Sequence, residues 1–515
     1  MKSLSKYIFT LIAATLFFPS CEDLDPVNYT AISPSTFPKT AQDAELLVTA
    51  CYNKVGGQGS NIYYFDWFSL PILSEVSTDA GCDNMGGNFD IIKALNWTPQ
   101  TEAVTRLFSD HYKDISLFTQ TLYQIESIET IDEKLRKRYM AEIKVARAWT
   151  SFILFTLYGS FPVASLEVLN NPQTDVFLER PTDEWMLGFI EQDLLDATQD
   201  NVLPFKYKDD KDYGRFTKGM AKFLMLKLYM YKKDWAKAEE IGRQLLEASY
   251  GYGINTLAEG GYQKAFSISG FRNKEQIHVF PTFYGTAANH WLTFTLPPNY
   301  PMAKPDWKWN EFRVDWLIFN TFEQNDDRLK AIVGEYVGTD GKTYNEDNPG
   351  TYIEKGAIPV KYDYDPNGYG SRTAQDLVVF RYSDALLYLA EAINNNGRND
   401  MALALSCVNQ IRKRSNIPEV TSAGSVFTIT TVKGDQISFD LSTVEGFNNF
   451  ILSERAHELP WECSRRDDLI RHGKYLDYAR SIGATEPVER LVRFPLPASV
   501  ITESRGKIKQ NEGYN

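Results

Sequence analysis

Cysteine and histidine are scarce in this chain, with five of each in 515 residues. Cys51, Cys82, Cys407 and Cys463 are scattered, which excludes a disulfide framework and any CxxC metal site. A Cys51–Cys82 bridge and two buried free thiols both fit an oxidising compartment. The histidines, His111, His278, His290, His457 and His472, stand far apart and lack metal-ligand spacing. HExxH, GxSxG, Walker A and GxGxxG signatures are all absent. Adjacent acids such as Asp326–Asp327 and Asp467–Asp468 read as solvated faces. A glycosidase needs two carboxylates about 5–9 Å apart, drawn from distant positions, and no local pattern announces such a pair. The catalytic case is weak.

Basic runs are lacking too. The chain has 54 Lys and Arg against 67 Asp and Glu, a formal net charge of −13. A surface this acidic repels phosphate backbones, so no nucleic-acid partner is expected. Long apolar runs are almost missing as well. The clearest, Tyr7–Phe18, is shorter than the roughly 20 residues a bilayer-spanning helix needs. It follows Lys2 and Lys6 and precedes Ser20 and Cys21, the pattern of an export signal over residues 1–20. Cys21 is the expected lipid acceptor, although Phe18 and Pro19 depart from the usual Leu and small residue of a lipobox. Removal of residues 1–20 with Lys2 and Lys6 makes the chain two units more negative. Such a chain is not drawn flat onto anionic lipid, so acyl chains on Cys21 would hold it to the membrane.

What the chain does have is helical periodicity. Residues 102–127 and 132–158 carry apolar side chains at three- and four-residue steps, and Gly159, Phe161 and Pro162 stop the second run. Thr182, after Pro181, caps another helix. Two stretches, 219–248 and 381–416, each read as a helix, a short break and an Ala-rich second helix. That is the unit of tetratricopeptide-like repeats, which bury a core by stacking and specify no chemistry by themselves. From Gly251 to Pro366 the character changes: Gly, Pro, Asn and aromatics dominate, and Pro281, Pro297, Pro298, Pro301 and Pro305 forbid long helices. So long a loop region is functional or disordered, and this one is too aromatic for disorder.

Four of the ten tryptophans lie between positions 291 and 316. Flat, rigid rings suit the CH-bearing face of a pyranose, with Asn, Asp and Arg taking the hydroxyls. Trp316 and Phe319 read as helical core, whereas Tyr284, Trp291, Trp307 and Trp309 are candidates for a ligand-facing surface. Trp307 and Trp309 flank Lys308 and share a face if extended. A second candidate wall is the glycine-rich loop SEVSTDAGCDNMGG, in which Asp79, Asp83 and Asn84 could bind hydroxyls or a structural calcium ion. A simple turn is the alternative.

Seven stretches, in order, resemble the SusD/RagB family of Bacteroidetes surface glycan-binding lipoproteins. They are CEDLDP at Cys21, AEIKVARAWTSFILFTLYGSFPVA, FNTFEQNDDRLKAI, FRYSDALLYLAEAINNNG, CVNQIRKRSNIPE, ILSERAHELPWECSRRDDLIRHGK and FPLPASVITESRGKIKQNEGY. Cys463, His457 and Arg466 depart from the family pattern, at positions where Glu454, Arg455, Glu458, Glu462 and Arg465 are expected to form a charged network around the C-terminal helix.

The resemblance implies a mainly α fold, with tetratricopeptide-like hairpins supporting an irregular, loop-rich ligand-binding half. It implies one SusD-like domain over residues 21–515, with a helical region to about 250 and loops plus C-terminal helices beyond. It also implies a non-enzymatic protein without cofactor, anchored to the outer membrane through lipid on Cys21 and facing the exterior. Glu22, Asp23 and Asp25 after the anchor support the surface address. Its expected partners are a glycan and a SusC-like TonB-dependent transporter. A surface glycoside hydrolase and a protein- or peptide-binding transporter lid are the competing readings.

Overall fold

The computed structural model describes residues 37–56, 62, 68–171, 176–285 and 287–514. Cys21 and the acidic residues after it lie outside the described residues, as does most of the segment 57–67. The fold is mainly α. Helices of eleven residues or more are α1 (Ala41–Gly56), α2 (Glu102–Glu126), α3 (Glu133–Tyr158), α4 (Asp183–Ala197), α5 (Lys218–Lys232), α6 (Trp235–Leu245), α7 (Tyr382–Asn395), α8 (Met401–Arg414) and α9 (Val444–Glu458). None of the described helices is long and apolar enough to cross a membrane.

Local chemistry sets the helix ends. Asp132 accepts from the N–H groups of Lys134 and Leu135 at the start of α3. Thr182 accepts from Trp185 N–H at the start of α4. Such caps satisfy donors that the first helical turn leaves open. Lys233, in the left-handed conformation, breaks α5 from α6, and Asp234 then caps α6. Both expected hairpins therefore form, α5 with α6 and α7 with α8. They stack through α6 and α7, where a Cβ on Gly242 would come 2.9 Å from Leu389. A larger residue there would force the helices apart.

Strands are short. β1 (Gly81–Asp83), β3 (Phe312–Asp315), β5 (Gly356–Pro359) and β4 (Ile332–Val333) form an antiparallel sheet in the order β1-β3-β5-β4. β2 (Gln276–Phe280) pairs with β6 (Leu377–Arg381), and β7 (Val426–Thr430) with β8 (Gln436–Asp440). Buried apolar side chains from Ala44 to Tyr514 join in one cluster that includes Trp97, Trp149 and Trp291. Cys51 and Cys82 are free and buried, and burial pushes both thiols up to about 12.

The charged network expected around the C-terminal helix is present and deep. Arg381 reaches Glu275 at 2.9 Å, Glu458 at 2.6 Å and Glu462 at 2.8 Å. Arg414 meets Glu275 at 3.0 Å and Glu458 at 2.6 Å, and Arg328 meets Asp326 at 2.7 Å. Arg455 bridges Asp384 and Asp468, both at 2.7 Å. Burial by itself would raise the Glu458 carboxyl, but the charges of Arg414, Arg381 and Arg328 outweigh it and hold the group at about 2. Buried ions persist only when partners surround them this closely.

Candidate functional site

Three loops converge on one face of the loop-rich half. The first runs from β2 to the short helical turn Trp291–Thr295, the second spans residues 300–311, and the third spans residues 363–374. They are laced to each other by backbone. Asn289 and Thr373 exchange two N–H···O bonds of 2.9 Å, and the Thr293 hydroxyl donates to the Ser371 carbonyl at 3.0 Å. Trp307 N–H donates to Gly370 O at 3.0 Å, and Gly370 N–H returns a 2.7 Å bond to the Asp306 carboxylate. Gly370 has φ +55°, a conformation few side chains adopt, and a Cβ there would lie 4.0 Å from the Trp307 ring.

On this frame sit large rings open to solvent: Phe283 is 64% exposed, Trp307 57%, Tyr369 44% and Trp309 43%. Tyr284 lies 6.1 Å from Tyr369, ring to ring, and the Tyr369 hydroxyl donates to Tyr284 O at 2.7 Å. The Tyr284 hydroxyl in turn donates to Asp365 at 2.8 Å. Desolvation and the adjacent Asp365 charge push the Tyr284 phenol up to about 12, so it remains a donor. Asp365 is buried and also accepts from the N–H groups of Asn367 and Ala374, both at 2.9 Å. The platform is therefore rigid, with Asp306, Asn367 and Arg372 at its rim and the Arg372 guanidinium over the Tyr369 ring.

Trp291 does not belong to this face. It is 0% exposed, and its indole N–H donates to Pro359 O at 2.9 Å. It supports the platform from below: Trp309 packs edge-on against Phe294 at 4.9 Å, Phe294 stacks on Phe312 at 5.0 Å, and Phe312 contacts both Trp291 and Trp461. One aromatic segment thus divides into a buried foundation and an exposed surface.

The other candidate wall is structural in its side chains. Asp79 accepts two bonds from Arg465, at 2.7 and 2.6 Å. Asp83 is buried in β1, where desolvation pushes its carboxyl up to about 6. The Asn84 side chain donates to Tyr352 O at 2.9 Å. The pairing of β1 with β3 nevertheless brings this loop beside the platform, since Asn84 N–H donates to Glu311 O at 3.1 Å, two residues from Trp309. Among the described residues, no group of three or more His, Cys, Asp or Glu side chains is gathered closely enough to hold a metal ion.

Sequence reasoning passed over Phe283 as a site residue and missed Tyr369 and Arg372 entirely. The signal was available in YDYDPNGYGSR (362–372), a tyrosine-rich segment punctuated by Pro, Asn and Gly. It lies far along the chain from the tryptophan cluster, so proximity in sequence could not join the two.

Comparison with known proteins agrees with the fold. A model of the SusD family matches residues 305–514, and one described as starch-binding associating with outer membrane matches residues 35–230. The SusD-like protein P38 of Formosa agariphila is 24% identical, with 98% of each chain covered. A SusD-like protein of Bacteroides ovatus is 22% identical over 82% of this chain and 78% of that protein. Among solved structures, a laminarin binding SusD-like protein superposes with a TM-score of 0.71 at 20% identity, covering 93% of this chain and all of the other. Surface glycan-binding protein A from Bacteroides thetaiotaomicron, in complex with laminarihexaose, gives 0.71 at 18% identity over 92% of this chain and 100% of that one. This chain belongs to the SusD/RagB family.

Proposed function

We propose that this protein is a surface lipoprotein that captures an oligosaccharide on the aromatic platform and delivers it, unhydrolysed, to a SusC-like TonB-dependent transporter. The carrying observation is the set of exposed rings, Phe283, Trp307, Trp309 and Tyr369, held on a laced and buried frame. Rigid rings meet a sugar face with little loss of side-chain freedom. Relatives described as binding laminarin and a bound laminarihexaose in a neighbour of the same fold support a glycan as ligand. Lipid on Cys21 would keep the binder near its transporter by raising effective concentration.

Calorimetry and affinity electrophoresis of a Cys21→Ala chain against a polysaccharide panel test the reading. Binding that vanishes in a folded Trp307→Ala, Trp309→Ala variant, with no new reducing ends after incubation, is the expected result. Unchanged binding in that variant would remove the platform from the site. Release of new reducing ends would instead favour a hydrolase. Cys21→Ala itself should free the protein from the membrane without weakening its affinity.

A further inference from the structure

The rim of the platform holds a cation that no carboxylate of the described residues answers. Arg372 lies over the Tyr369 ring, 5.5 Å from its centre, and donates one long bond of 3.3 Å to the Tyr369 hydroxyl. No carboxylate pairs with it among the described residues. Most other arginines are held differently, although Arg490, over the Tyr514 ring with one 3.4 Å bond to Trp97 O, is held as loosely. Arg328, Arg381, Arg412, Arg414, Arg455 and Arg471 are all ion-paired in the interior. Arg180, Arg313, Arg398 and Arg466, which also lack a carboxylate partner among the described residues, donate two or more bonds each to backbone carbonyls.

Two carboxylates of the same loops, Asp306 and Asp365, are already engaged. Asp306 is held by Lys304 at 2.7 Å and by Gly370 N–H, and Asp365 is buried beneath Tyr284. A second cation of the same loops, Lys308, donates only to Tyr300 O, at 2.8 Å. Two cations thus stand beside one ring cluster with no carboxylate at either among the described residues.

We propose that this platform selects a glycan bearing an anionic substituent, a uronate carboxylate or a sulfate ester, and that Arg372 receives it. The proposal rests on the platform being the glycan site. The planar guanidinium offers parallel donors that match two oxygens of either group, and such charge-assisted bonds are stronger than those to a neutral hydroxyl. Rings below and a fork at the edge fix the sugar face and its charged substituent together.

Matched oligosaccharide pairs test this by calorimetry on the Cys21→Ala chain. Oligogalacturonate is set against its methyl ester, and κ-carrageenan oligosaccharide against its desulfated form; the pair that shows the preference tells carboxylate from sulfate. The charged member of one pair should bind about tenfold more tightly, the scale of exchanging a neutral for a charge-assisted bond. The gap should narrow as salt rises from about 0.02 to about 0.5 M, because the charge is exposed to screening. Arg372→Gln should erase the preference and Arg372→Lys keep part of it, while Trp307→Ala weakens both members equally. Equal binding within both pairs, or an equal loss of both members in Arg372→Gln, overturns the inference. If neutral glycans still bind in a Trp307-dependent way, the site stands and only its charge selectivity fails. If no saccharide binds at all, both fail.

Discussion

The ionic cluster around α9 and the aromatic platform are built from residues that look equally functional in sequence, yet the structure uses them in opposite ways. In the cluster, Glu458 is fully buried and ringed by Arg381, Arg414 and Arg328, so every charge is answered from within the chain. On the platform, Trp307 and Tyr369 stay open to solvent, and no carboxylate among the described residues pairs with Arg372. A group whose partners are complete holds the fold together. A group whose partners are missing, on a frame rigid enough to keep it so, is available to a ligand.

Breaking the cluster should have the largest effect. Glu458→Ala leaves three arginines facing an empty position and should lower stability by about 3–5 kcal/mol in urea denaturation. A loss below about 1 kcal/mol would mean that the network is not what holds α9. Trp291→Ala should cost a similar 3–5 kcal/mol, as truncation of a buried Trp does. Trp307→Ala should change stability by no more than about 0.5 kcal/mol. That contrast between two tryptophans sixteen positions apart separates foundation from face. Equal destabilisation would erase the distinction.

Titration should distinguish the two kinds of buried carboxyl. Glu458 is held at about 2, below its ordinary value, so its stabilising contribution is present above pH 4.5 and is lost as pH falls through 2. Glu75 is the reverse: burial pushes it up to about 8 with one oxygen unpartnered. Its contribution is present below pH 4.5 and is lost as pH rises through 8. Thermal melts of Glu75→Gln should therefore show a flatter fall in Tm between pH 4.5 and 8 than the parent. An identical slope would place the titrating group elsewhere.

The smallest effect belongs to single rings of the platform. Trp309→Ala should weaken glycan binding by about 0.5–1.5 kcal/mol beyond area burial, roughly two- to twelvefold. Its edge-on contact with Phe294 at 4.9 Å also steadies the ring, so Phe294→Leu should weaken binding less than Trp309→Ala does. A Phe294 change that proved as severe would move the energetic centre of the site inward.

Much of this architecture was legible because it rests on local rules. The caps at Asp132 and Thr182, the break at Lys233–Asp234 and the two stacked hairpins follow from periodicity and end signals. The site was legible only in part. Trp307 and Trp309 stand beside Pro305, Asp306 and Lys308, and the structure leaves both open to solvent. Trp291 stands beside Asn289 and His290, yet it is fully buried: Asn289 pairs with Thr373, His290 bonds Ser371, and the turn they fix points the indole inward. Asp79 gave no hint of Arg465, which lies 386 positions away in the chain.

By itself the sequence determined the helical hairpins, the aromatic excess of the middle region and the motif order that marks the family, because each depends on residue type and short spacing. The tertiary structure alone decided which rings face solvent and which charges are answered. Exposure and pairing depend on what other segments bring within a few ångströms, and here those segments are residues 363–374 for the platform and 454–471 for the ionic core.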